Sequence, residues 1–429
     1  MRINSLMLYW TMCTLCVCIA CSDSSVEETC SQEDYIAGDP VACWPLSDDL
    51  QSCVEGVNEF AIKQLREAIA KSPATSLVIS PLSTTFALGM LTYAAAGETQ
   101  ECLTSALGFP SGDTQALCDF CASSILGLPV CDPSVTVVSA NALFANKDAV
   151  INTSFRRVLR KYFSADVQSL DFASPSALNT INSWCKAGTA GIIPALLDKI
   201  DAHAQSYIIN TLSLKASWTM GFDKQRTSAH PFVQSSGQTV QCQAMRQSAI
   251  FPYAKTKKLE AIRLPLGDEG LFSVTVVLPQ SPADPANISD ALTPQFLTNL
   301  SKQMTERKVN LTLPRFDTET QLELPDMLKN IGMAKAFSEE ADYPLVYEYG
   351  SPFSISRMFQ KTHIDLSESG LHAASATVIA HIGGSTTPGG SLSAPPINFT
   401  ADHTFLYIVT EQETGLILFA GIYDGEIKL

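Results

Sequence analysis

Helical periodicity fills the first part of this chain and strand alternation the last, and no Pro/Ser linker, charge block or internal repeat divides residues 54 to 429. That order predicts one large α+β domain. From Val57 apolar residues recur at helical spacing (Phe60, Ala61, Leu65, Ala68, Ile69), and a second helix is expected from an N-cap at Ser83 to near Gly97. Strand signals follow at Val135 to Val138, Phe272 to Leu278, Val309-Leu311-Leu313 and Phe405 to Thr410, the last turning at Thr414-Gly415 into Leu416 to Phe419. With 429 residues, 46% of them hydrophobic, the chain can bury a sizeable core. Its formal charge of -15 argues against a phosphate-neutralising surface, so no nucleic-acid partner is expected. No apolar run reaches the roughly 18 to 20 residues of a spanning helix, so no membrane span is expected either.

Arg2, the apolar stretch Leu6 to Ala20 and the polar turn at Ser22 to Glu28 read as a secretory signal peptide over residues 1–20. Removing it takes three of the 13 cysteines and leaves ten, an even number that in an exported chain favours disulfides. The alternative is a bacterial lipoprotein anchored through Cys21. Five Asn-x-Ser/Thr sequons, at Asn152, Asn287, Asn299, Asn310 and Asn398, favour a secreted glycoprotein. Cys118 and Cys121, with Cys102 and Cys131 nearby in sequence, leave a four-thiolate zinc site as an alternative to disulfides or buried thiols. Residues 21–53 form a Cys-rich acidic extension ahead of a main domain at 54–429.

Catalytic motifs are missing. There is no G-x-S-x-G, H-E-x-x-H, Walker loop or G-x-G-x-x-G, and His203, His230, His363, His372, His381 and His403 show no metal-ligand spacing. The expectation is therefore a protein that is not an enzyme and that has no cofactor and no metal. Gly383 to Ser391, rich in Gly, Ser and Thr, cannot pack a core and reads as an exposed loop, preceded by the small-residue run Ala373-Ala374-Ser375-Ala376-Thr377. Arg156, Arg157, Arg160 and Lys161 form a basic cluster, read as a solvated helix face because the rest of the chain is acidic; polyanion binding is not expected.

Several ordered stretches resemble one family, the serpins. They are Ser80-Pro81-Leu82-Ser83 with Ala96-Gly97-Glu98-Thr99, then Ala140 to Phe144, then Thr189 to Ile193 with Asn210 to Lys215 and Trp218 to Phe222. Val309 to Phe316, then Leu324, Leu328, Gly332, Met333 and Phe337, and finally Ala401-Asp402-His403 to Gly421 continue the likeness, which covers about residues 54 to 425. Ala216 stands where the family usually has glycine. The resemblance implies an α+β fold of three β-sheets with about eight to nine helices and an exposed reactive loop, here about residues 368–398, that serves as bait for a protease. It also implies a polar cluster beneath the central sheet (Ser80, Ser83, Asn210, Gln360) and an aromatic at its top (Trp218).

Glu368-Ser369-Gly370-Leu371-His372-Ala373-Ala374-Ser375-Ala376-Thr377 resembles the family's hinge in its Glu, its Gly and its alanine-rich run. It departs at Leu371, where inhibitory members usually carry Thr or Ser; on insertion a leucine there is expected to cost about 1 to 3 kcal/mol through overpacking. The family spacing puts the scissile bond at Gly384-Ser385, with Ile382-Gly383 and Leu392-Ser393 as alternatives because the loop carries extra residues. The function this implies is a secreted, monomeric inhibitor of a serine protease, or of a cysteine protease, acting by cleavage, covalent trapping and loop insertion. The alternative is a non-inhibitory carrier, chaperone or storage serpin that is cleaved as a substrate.

Overall fold

The computed structural model describes residues 46–425 except 73–74, 190, 192, 283–292, 349–352, 354, 356–357 and 372–394. Its first half alternates helices with short strands: α1 (Asp48–Gln51), α2 (Val54–Lys71), β1 (Leu77–Ile79), α3 (Pro81–Ala94), α4 (Gly97–Ala106), α5 (Thr114–Cys131), β2 (Thr136–Asn146), α6 (Thr153–Phe163), β3 (Asp166–Leu170) and α7 (Pro175–Gly188). The second half is mostly strand: β4 (Ser206–Ser217), β5 (Ser228–Val233), β6 (Thr239–Lys255), β7 (Leu259–Leu266), β8 (Phe272–Pro279), α8 (Pro294–Gln303), β9 (Thr305–Pro314), β10 (Phe316–Glu323), α9 (Pro325–Leu328), β11 (Phe359–Ser367), β12 (Gly370–Leu371), β13 (Ile397–Thr400), β14 (Phe405–Glu411) and β15 (Ile417–Tyr423).

Helix α3 carries no charge and is buried nearly all round, so it forms the spine of the core between β4 and β15. It starts earlier than expected. Ser80, not Ser83, is its N-cap, accepting the Ser83 N–H at 3.4 Å, and Pro81 takes the first helical position, where a missing N–H costs nothing. Gly97 likewise opens α4 and does not close α3.

The strands form a six-stranded sheet, β10-β11-β12-β4-β2-β3, and a nine-stranded one, β1-β15-β14-β8-β7-β6-β9-β13 with β5 on β6. Three sheets were expected; two of them are one hydrogen-bonded surface because β6, 17 residues long, pairs with β5 and β9 along most of its length and with β7 at its end. A second, smaller core seats α7 on the six-stranded sheet through Ala177, Ile181 and Cys185 against Ala142, Phe144 and Ile209. Leu46 and Cys53, placed by sequence in the extension, are buried in the main core.

The disulfide expectation finds no pair among the described residues: Cys53, Cys102, Cys118, Cys121, Cys131, Cys185 and Cys242 are all free thiols. Nor, among the described residues, does any group of three His, Cys, Asp or Glu side chains gather for a metal, so the four-thiolate alternative falls away. Burial pushes the thiols of Cys118 and Cys131 up to about 12 and that of Cys185 up to about 11. Among the described residues α5 alone is long and apolar enough to cross a membrane by length and composition, which corrects the expectation that no such stretch exists; 56% of that window is buried inside the fold, as in a core helix.

Candidate functional site

The six-stranded sheet contains a seam. Strands β4 and β11 are joined only through β12, which pairs antiparallel with both: Gly370 faces Ser217 and Ser367, and Leu371 faces Ala216 and Leu366. Among the described residues no ladder connects β4 to β11 directly. The chain therefore leaves β11, reverses at Glu368-Ser369 and enters the sheet for two residues. Gly370 is required for this reversal. Its φ is 137°, a region that side chains avoid, and a Cβ there would run into the Ala216 carbonyl oxygen. Leu371 is only 1% exposed.

The upper end of the seam is braced by polar contacts to the turn. Trp218 donates its indole N–H to the Ser367 carbonyl at 2.7 Å and packs edge-on against Phe222 at 5.8 Å. The buried Glu368 accepts from the Thr227 hydroxyl at 2.8 Å and faces Arg315 at 3.7 Å, while its carbonyl accepts the Phe222 N–H at 3.1 Å. Thr227 and Arg315 lie 141 and 53 residues from Glu368, and no local pattern marks either as its partner.

At the lower end Gln360 of β11 reaches down to the N-terminus of α3. Its amide donates to the Ser80 carbonyl at 2.7 Å and to the Thr84 hydroxyl at 3.0 Å, and its oxygen accepts the Ser80 N–H at 3.1 Å. Ser80 also donates to Leu418 O at 2.9 Å, and Gln64 of α2 donates to Thr84 at 2.9 Å, which ties two helices and both sheets together. Sequence reading missed Gln64 and Thr84, although a glutamine on the apolar face of α2 is a visible anomaly. Asn210 does not join this group. Its amide donates to Asn141 Oδ1 at 2.6 Å, and its own Oδ1 is buried without a partner, as is the Thr211 hydroxyl. Between Asn210 and Gln360 lies a narrow cleft of about 40 Å³, floored by Ser83, Thr84 and Ala87 of α3.

Of the other expected positions, Ala373, Ala374, Ser375, Ala376, Thr377, Gly384, Ser385 and Asn287 lie outside the described residues. Asn299, Asn310 and Asn398 are exposed, and Asn152 is half-buried, capping α6 by accepting the Ser154 and Phe155 N–H groups at 2.9 and 3.1 Å. Arg156, Arg157, Arg160 and Lys161 all lie on α6.

A mixed domain whose central sheet takes in the first residues of its own long loop, between two parallel strands, has the architecture of the serpin class. The family model described as serpin (serine protease inhibitor) matches residues 55–424. An antitrypsin of Bombyx mori is 30% identical over 375 residues, covering 86% of this chain and 93% of that protein. The native structure of tengpin, a thermophilic serpin, superposes with a TM-score of 0.78 at 23% identity, covering 91% and 98% of the two chains. Human thyroxine-binding globulin complexed with its hormone superposes with a TM-score of 0.77 at 23% identity, covering 88% and 100%. The chain belongs to the serpin family, whose members are generally protease inhibitors and not catalysts, though not all are inhibitory.

Proposed function

We propose that this protein is a secreted inhibitor of serine proteases that traps its target through cleavage of the loop after Leu371. The observation that carries the reading is β12: two residues of the loop already sit in register between strands that, among the described residues, do not otherwise pair. Continuing that register sets Ala373 opposite Leu214 and Ile364, Ser375 opposite Leu212 and Thr362, and Thr377 opposite Asn210 and Gln360. All of these partners but Asn210 are fully buried, so the entering side chains have to be small, and these are. Thr377 would bring a hydroxyl donor to the side of the sheet where Asn210 Oδ1 lacks one.

In the chemistry implied, the protease serine oxygen attacks the Gly384 carbonyl and the Gly384-Ser385 bond breaks. Ser385 leaves as a new amino terminus carrying the proton, and the protease is held as an ester of Gly384. Trapping requires that insertion outrun hydrolysis of that ester. The signal-like sequence of residues 1–20 and the exposed sequons at Asn299, Asn310 and Asn398 support export, with the acidic extension preceding the inhibitor domain. Incubation with elastase-, chymotrypsin-, trypsin- and subtilisin-like proteases tests the reading. A band at the summed mass that survives denaturation, with a released peptide starting at Ser385, is expected; cleavage by every protease with no adduct and full residual activity sinks it.

A carrier is the second reading, favoured by a groove of about 640 Å³ between α8, α2 and the nine-stranded sheet. Arg263 in its wall donates to Ser301 at 2.7 Å, while its Nε is buried without a partner, and among the described residues no carboxylate lies within ion-pair distance. Burial pulls its pKa below the usual arginine value, the mark of a cation short of compensating charge. An apolar organic anion suits that wall. Under this reading 8-anilinonaphthalene sulfonate binds the native protein, and Arg263→Gln weakens it at least tenfold; equal binding removes the reading.

A further inference from the structure

Two departures from the serpin pattern, Leu371 at the hinge and Ala216 in β4, are far apart in the sequence and meet in the sheet. They are register partners, 1% and 3% exposed, and with Leu366 they form one apolar row across β11, β12 and β4 on the core face. The leucine expected to overpack an inserted sheet is already seated in the uncleaved one. We propose that Leu371 and Ala216 act as a coupled hinge anchor that keeps the start of the loop docked in the resting sheet. Leu371 is thereby a positioning residue for insertion. This inference rests on the inhibitory reading for its consequence, not for its geometry.

The physical basis is local. A two-residue strand has few ladder bonds, and fixing its backbone opposes docking, so side-chain burial has to hold it in place. Of its two residues Gly370 has no side chain to bury, which leaves Leu371. Thr or Ser there would bury far less apolar surface, and glycine at 216 would remove the methyl directly opposite. Docking also changes how insertion begins: the freed segment would extend an existing strand and need not nucleate one.

Hydrogen exchange of the full chain, read on peptides spanning residues 366–371, tests the anchor without any protease. Leu371→Thr is expected to lower protection there about tenfold or more, and Leu371→Met to retain it. Protection of β14 and β15 should stay unchanged in both, which separates undocking from misfolding. Ala216→Gly should lower protection at 366–371 as well, and in its background the Leu371→Thr effect should shrink at least threefold, the signature of a coupled pair. Unchanged protection in Leu371→Thr, or additive effects of the two substitutions, overturns the proposal. With a protease that forms an adduct, Leu371→Thr should also shift the products from adduct toward free cleaved protein. If no protease is trapped, the exchange results still decide the anchor while the inhibitory reading fails separately.

Discussion

Replacing Gln360 by leucine isolates the polar tie at the lower end of the seam, because the volume is kept while three hydrogen bonds are lost. Their loss is not equal. Ser80 O still accepts the Thr84 N–H at 3.2 Å, and Thr84 Oγ1 still accepts from Gln64 at 2.9 Å, so both retain partners. The Ser80 N–H, in contrast, has no other acceptor described and is left buried and unpaired, at a cost of about 1 to 3 kcal/mol. Adding the net value of one or two of the other bonds gives a loss of about 2 to 4 kcal/mol. For a domain of this length the unfolding entropy is roughly 0.8 kcal/mol per degree, so Tm should fall by roughly 3 to 5 °C. Differential scanning calorimetry of Gln360→Leu measures it. A fall below about 1 °C would refute the reasoning, since the Ser80 N–H would then have to be satisfied by water from the adjoining cleft.

Other expectations follow from the same accounting. Asn210→Ala should lower the Tm of the intact protein, since it removes the donor to the buried Asn141 Oδ1, and lower the Tm of loop-cleaved protein by several degrees more if Thr377 comes to lie beside Asn210 Oδ1; equal shifts in both forms count against that register. Gly56→Ala should destabilise by about 2 to 4 kcal/mol in urea unfolding, because the added Cβ would meet the Gly108 backbone where α2 crosses the end of α4. A mild effect would mean that this crossing can give way. Buried thiols set an alkaline limit: with Cys185 raised to about 11 and Cys118 and Cys131 to about 12, their contribution is complete below about pH 9, the unfolded thiol value, and is lost as pH rises through 11 to 12. Each adds a slope of up to about 1.4 kcal/mol per pH unit, so urea midpoints should fall from pH 9 to 11, and Cys185→Ala should flatten the fall.

Sequence periodicity located the late strands well, because β8, β9, β14 and β15 are apolar runs or clean alternations whose period needs no partner to be seen. It placed the cap of α3 three residues late, since Ser80-Pro81-Leu82-Ser83 offers two serines and only the proline geometry decides between them. Gly370 and Glu368 were legible from the hinge pattern. What they touch was not: Ala216 meets the turn through sheet register, and Thr227 and Arg315 meet Glu368 through side-chain contacts, all from more than 50 positions away. Leu371 was read as an obstacle because the sequence does not show that it is already buried in the uncleaved sheet, in register with Ala216 and Leu366.

The seam also limits what can drive insertion. Extending β12 from Leu371 to Thr377 would add six residues with ladder bonds on both sides, each bond worth about 1 kcal/mol net. Ordering the same six backbones costs about 1 to 2 kcal/mol apiece, so ladder and entropy largely cancel. The surplus then has to come from side chains. On insertion the run Ala373 to Thr377, made of small side chains, would lose little rotamer freedom and, in the continued register, would cover Leu214, Ile364 and Leu212 and bring a hydroxyl to Asn210, while Gln360 ties β11 to α3. A sheet so arranged holds two loop residues docked, yet is left with a buried acceptor and, among the described residues, with β4 and β11 joined only through β12, which further insertion would extend.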